Sequence, residues 1–268
     1  MDSSSHDNMS FLEHLEELRW HIIRSLIAII SAGFICFLMK DFIFDTIIFG
    51  PKKMDFPTYK FLCQAATFIG VETTFCGDEF PFIVQNRTMA GQFSAHVMTS
   101  IISGFIISFP YILYEFWKFI SPGLLEKEKA KSRGFIFVSS MLFFIGVLFG
   151  YYIISPLSIN FLGTYQVSSQ VLNEIDLGSF ISLVRSSAIA SGIIFEFPII
   201  IYFLTKAGVV TPESLVKYRK YALVLVLVLA AIITPPDVAS QIIVAIPIVV
   251  LYQVSIFISR IVIKNQTK

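Results

Sequence analysis

One carboxylate stands inside an apolar run at "GIIFEFPIIIYF", residues 192–203, where Glu196 sits between phenylalanines. An ionised side chain at the centre of a bilayer costs at least ~2.5–3.5 kcal/mol on insertion scales. Its presence therefore calls for a partner or for a surface that does not face lipid. Arg185 lies 11 residues earlier in the same run. In a helix the two fall within roughly 20° of one face and about 16 Å apart, too far to pair with each other. Gly192 shares that stripe and permits close approach by a second helix. The stripe reads either as a surface for a partner or for water, or as a structural pairing inside the fold.

Three more segments carry chemistry. "SFLEHLEELRW", residues 10–20, opens with a capping box of Ser10 and Glu13. Phe11, Leu15, Leu18 and Ile22 form one apolar stripe, so residues 10–21 are expected to be an amphipathic helix running along the membrane surface. Glu16 is spaced to pair with Arg19, which leaves Glu17 free. In "FWKFISPGLLEKEKAKSRG", Pro122–Gly123 forces a turn, and Glu126 and Glu128 follow among lysines. By itself that stretch reads equally well as a solvated loop. In "ITPPDVASQIIVAIP", Asp237 either caps the helix that follows or opens a polar patch with Gln241 one turn later. No zinc-protease, P-loop or nucleophile-elbow motif is present, and the histidines at 6, 14, 21 and 96 do not cluster. The pattern points away from an enzyme, and no cofactor or metal is expected.

The elements that must position these residues follow from composition. Of 268 residues, 55% are hydrophobic and 15% charged, against about 25% charged in soluble domains. The class is a polytopic, all-α membrane protein, expected as one integral membrane domain over 1–268. Apolar stretches at about 22–39, 97–117, 134–155 and 179–204 each reach spanning length. A fifth, "YALVLVLVLAAIIT", has only 14 residues before Pro235–Pro236. At roughly 21 Å it falls short of a bilayer core of about 30 Å. The sixth, about 238–259, is expected to be interrupted by Pro247, and the two should form a hairpin. Six helices result. Fourteen of the twenty Lys and Arg residues fall on one side, which places both termini in the cytoplasm. The first apolar run reads as a retained helix without a cleavable signal. The long outside loop, 40–95, begins with an expected interfacial helix at "DFIFDTIIFGP". Cys63 and Cys76 in this loop either form a disulfide or remain two thiols, and Cys36 reads as a small buried residue.

Taken together, "FLEHLEELRWHIIRSL", "FPYILYEFWKFISPGLLEKEK", "GIIFEFPIIIYFL" and "ITPPDVASQIIVAIPIVVLYQVSI" resemble the TatC family of the twin-arginine protein translocase. The resemblance covers nearly the whole chain, most weakly over 40–95. It implies a six-helix, cupped receptor for twin-arginine signal peptides of folded cargo, in the cytoplasmic membrane. It further implies partners of the TatA and TatB type, self-association, and transport energised by the proton-motive force. It assigns signal-peptide binding to Glu17, Arg19, Phe119 and Glu128, the last assignment being shared with the neighbouring Glu126, within one turn of it. It places an intramembrane polar site at Glu196 with Asp237 and Gln241, and a functional proline at Pro51. Glu115 departs from the family pattern, which often has glutamine there; it either adds to the arginine site or faces water. A rival reading is a secondary transporter with Arg185 and Glu196 at a midplane site, although no internal repeat supports it. An intramembrane enzyme would need a nucleophile–base or metal pair that the sequence does not supply.

Overall fold

The structure is a computed structural model that describes residues 11–70, 76–77, 79–120, 132–168, 170–233 and 238–266. Among these, five helical stretches are long and apolar enough to cross a membrane: Leu15–Leu38, Gly91–Ile120, Gly134–Thr164, Leu177–Lys206 and Ser240–Lys264. The chain divides into two compact units, residues 1–40 with 96–141, and residues 41–95 with 142–268.

In the first unit, helix α1 (Phe11–Leu38) runs unbroken. The expected surface helix and the first span are thus one element; the Ser10–Glu13 capping box lies outside the described side chains. The expected Glu16–Arg19 pair is not made, and both residues are exposed. Helix α3 (Gly91–Ile120) carries Pro110 without breaking. The two helices pack antiparallel, as their contacts show. His96 stacks on Phe37 at 4.0 Å and meets its carbonyl at 3.0 Å, and the Ser108 hydroxyl donates to the Ala28 carbonyl at 3.0 Å. Near their midpoint two glycines touch: a Cβ on Gly104 would lie 2.7 Å from Gly33 Cα, so only hydrogen fits there.

In the second unit, the chain leaves α1 through a π-helical segment at Phe42–Ile48 and a 3₁₀ turn at Gly50–Lys52. The segment expected to be an interfacial helix is therefore helical. Helix α2 (Pro57–Ile69) follows and ends on Gly70, whose φ of 76° favours glycine. Cys63 of α2 is disulfide-bonded to Cys76, with Cα atoms 5.1 Å apart, so the pair reads as a bridge and not as two thiols. Cys36 is buried and free. Pro51 is buried under Tyr59, whose hydroxyl faces the carbonyls of Pro51 (2.8 Å) and Pro156 (3.0 Å). Burial pushes the Tyr59 phenol pKa up.

Sequence periodicity did not signal the small sheet found among the described residues. Strand β1 (Phe82–Gln85) pairs parallel with β2 (Asn173–Asp176), Phe82 opposite Asn173. Arg87 and Glu174 pair beside it at 3.0 Å. Between the strands lie α3, α4 (Ser132–Phe149), a π-helical segment at Gly150–Ile154, and α5 (Ser155–Thr164).

Helix α6 (Leu177–Phe195) starts on Asp176, whose carboxylate accepts the backbone N–H groups of Gly178 and Ser179 at 2.9 and 3.3 Å. It stops at Glu196, and α7 (Phe197–Lys206) begins immediately. Pro198 accounts for the break, because its ring carries no N–H and collides with the carbonyl four residues back. After α8 (Pro212–Lys217) come α9 (Arg219–Ile233) and α10 (Val238–Gln266). The expected interruption at Pro247 does not occur; α10 continues through it. Helix α9 has 15 residues, about 22 Å, and is the short fifth run read from sequence. It packs on α10 through Val226, Ala230, Val244, Ala245 and Ile248.

Candidate functional site

Glu17, Trp20, His21 and Arg24 repeat at i, i+3, i+4 and i+7, so they share one face of α1. Tyr111, Glu115, Lys118 and Phe119 follow the same rule on α3. The antiparallel pairing that sets Ala28 beside Ser108 brings His21 to Glu115 about two turns further on.

Glu115 is 2% exposed. Its Oε2 accepts from His21 Nδ1 at 2.6 Å and lies 3.6 Å from the Arg24 guanidinium, and its Oε1 is 3.9 Å from Lys118 Nζ. Tyr111, one turn earlier on α3, also interacts with it. A buried carboxylate survives only when its charge and lone pairs are met, and here the fold supplies every partner. Of the two readings of Glu115, the one in which it faces water is overturned by this burial. His21, 8% exposed, is held between Glu115 and Phe119, whose ring meets it edge-on at 6.2 Å.

Glu17 is the contrasting carboxylate. Its Oε1 sits 4.0 Å from His21 Nε2, whereas its Oε2 is buried with no hydrogen-bond partner among the described residues. Glu17, Trp20, His21 and Arg24 line a concavity of about 390 Å³. Trp20 and Arg19 are exposed. This arrangement can accept a cationic, hydrogen-bond-donating group at Glu17. It contains no nucleophile–base pair, and no group of three His, Cys, Asp or Glu among the described residues could hold a metal.

The other predicted residues lie elsewhere. Glu196 is half-buried at the α6–α7 junction, and its backbone carbonyl accepts the N–H groups of Ile199 and Ile200 at 2.9 and 3.1 Å. Arg185 is half-buried on α6. Gly192 performs the close approach read from its position: a Cβ there would lie 2.8 Å from the Phe143 ring. The Gln241 amide donates to the Leu227 carbonyl at 3.1 Å, tying α10 to α9. Pro122, Glu126, Glu128 and Asp237 lie outside the described residues. Sequence reasoning missed His21, Trp20, Arg24 and Tyr111. The 17/20/21/24 spacing was a readable signal, but the partner at Glu115, 94 residues from His21, was not.

Long apolar helices, glycine-mediated helix crossings and a charged concavity define a polytopic α-helical membrane protein. The family model described as "Sec-independent protein translocase protein (TatC)" matches residues 13–247. The chain belongs to the TatC family and is a protein translocase component. It is 47% identical over 261 residues to the TatC protein of Blattabacterium sp. subsp. Periplaneta americana, covering 97% of this chain and 98% of that one. It is 36% identical to the TatC protein of Aquifex aeolicus over 94% of this chain and 95% of that one. Two crystal structures of the twin-arginine translocase receptor TatC superpose on it. One has TM-score 0.67 at 34% identity over 93% of this chain and 99% of that chain. The other, in DDM, has TM-score 0.69 at 36% identity over 91% and 98%.

Proposed function

We propose that this chain is the receptor subunit of a twin-arginine translocase, binding the paired arginines of signal peptides on folded cargo. The observation that carries the reading is the Glu17 carboxylate, which lines a concavity on α1 and whose buried Oε2 has no hydrogen-bond partner among the described residues. A guanidinium offers parallel N–H donors that a carboxylate accepts bidentately. Arg19, and Phe119 edge-on to His21, belong to the same site in this reading, and Glu126 and Glu128, beyond α3, supply acceptors for the second arginine. Glu115 supports the site from behind, because its own oxygens are already engaged.

In this reading the chain crosses the cytoplasmic membrane six times with both termini inside, α9 being the short crossing. The positive-inside count of Lys and Arg supports that orientation. The break at Glu196, with Arg185, Asp237 and Gln241, forms the polar surface for partner helices of TatA- and TatB-type single-span proteins and for further copies of the chain. Pro51 and the Cys63–Cys76 bridge brace the outer segment.

The test is binding of a labelled twin-arginine peptide to the purified full chain. Glu17→Gln should weaken it by about 1.5–3 kcal/mol, the loss of a charged hydrogen bond. Crosslinks from the peptide to residues 10–20 and 115–130 should fall in parallel. Unchanged affinity together with unchanged crosslinks would refute the site.

A further inference from the structure

The concavity on α1 offers more than a carboxylate. Trp20 lines it, is 50% exposed, and has no hydrogen bond, ring contact or cation–π contact among the described residues. It stands three residues from Glu17, on the adjoining turn of the same face. A large, uncommitted indole therefore flanks a carboxylate oxygen that lacks a partner. We propose that Trp20 and Glu17 together form a pocket for a single guanidinium, stacked on the indole and hydrogen-bonded to the carboxylate, and that Trp20 makes the site select arginine over lysine. The inference rests on the reading that Glu17 receives a signal-peptide arginine.

The remaining walls fit one planar cation. His21 is fixed by Glu115 at 2.6 Å, so its other nitrogen stays near Glu17 Oε1 and leaves Oε2 to the ligand. Arg24 closes the far end, 3.6 Å from Glu115, and its positive charge keeps a second cation out. A guanidinium can present its face to the indole and its edge to the carboxylate at the same time. An ammonium is a strongly hydrated point charge with no face to stack. Tryptophan at this height also suits a lipid interface, where its role would be anchoring. The two roles differ in what they do to the arginine-to-lysine ratio.

The experiment compares twin-arginine and twin-lysine versions of one signal peptide, titrated against the full chain in lipid nanodiscs. Trp20→Ala should lower affinity for the arginine peptide about two- to five-fold, the size of an exposed cation–π contact, with little change for the lysine peptide. Trp20→Phe should recover part of the loss. An equal loss for both peptides, or lower membrane accumulation with an unchanged ratio, would overturn the proposal in favour of an interface anchor. Glu17→Gln is measured alongside. If it weakens binding while Trp20→Ala leaves the ratio alone, only the Trp20 inference fails. If Glu17→Gln has no effect, the arginine-site reading fails with it.

Discussion

Glu17 and Glu115 are separated by one imidazole ring and end in opposite conditions. Glu115 is buried in the α1–α3 seam, with His21, Tyr111, Arg24 and Lys118 around it. Glu17 sits at the edge of that seam with one oxygen unmet among the described residues. A carboxylate supplied with cations from its own fold is a structural element. A carboxylate held in place but short of a partner is poised to receive one. The difference comes from depth in the helix pair, since both side chains belong to the same two helices.

The comparison is broken most severely at Glu115. Glu115→Ala leaves Arg24, Lys118 and His21 without their shared anion and should destabilise the fold by about 3 kcal/mol, the low end for buried pairs because both cations are half-exposed. Thermal unfolding in detergent measures it. A His21→Ala/Glu115→Ala double mutant should lose less than the sum of the singles, because the two residues share one interaction. Gly104→Ala comes next. Its methyl would meet Gly33 Cα at 2.7 Å and force α1 off α3, costing about 1–3 kcal/mol and shifting Glu17 with it. A drop in thermal stability together with weaker peptide binding is the expected pair of results.

Two changes far from the seam sharpen the contrast by leaving peptide affinity alone. Tyr59→Phe strands buried carbonyls at Pro51 and Pro156 and should cost about 1 kcal/mol. Burial raises the Tyr59 pKa, so the folded chain keeps a proton that an unfolded tyrosine sheds near ~10. Its contribution is constant below that pH and fades as pH rises above it, since the unfolded chain then binds fewer protons. Alkaline unfolding of Tyr59→Phe should accordingly be shallower than that of the parent. The smallest effect is Gln241→Ala, which removes one hydrogen bond between α9 and α10 and should cost about 0.6 kcal/mol by unfolding titration.

Much of the fold could be read from the chain, for identifiable reasons. A span needs about 20 apolar residues, so hydropathy placed the helices. The close approach at Gly192 was signalled by a missing side chain, whereas the break at Glu196 follows from Pro198 two residues on. Pro247 misled, because a helix packed among others can lose one backbone hydrogen bond and continue. The β1–β2 pair was invisible: four residues per strand, paired across some 90 positions, leave no local pattern. The site was half legible. Glu17 was singled out by its position, whereas the burial of Glu115 depended on a contact with His21 that only the α1–α3 register creates.

The central claim is that Glu17 receives the ligand and Glu115 supports the scaffold. The most direct measurement is the affinity of one twin-arginine peptide for folded Glu17→Gln and Glu115→Gln proteins, side by side in nanodiscs. The account predicts a loss of at least about ten-fold for Glu17→Gln, as for a lost charged hydrogen bond, and only a few-fold change for Glu115→Gln. A large loss at Glu115 with none at Glu17 would contradict it.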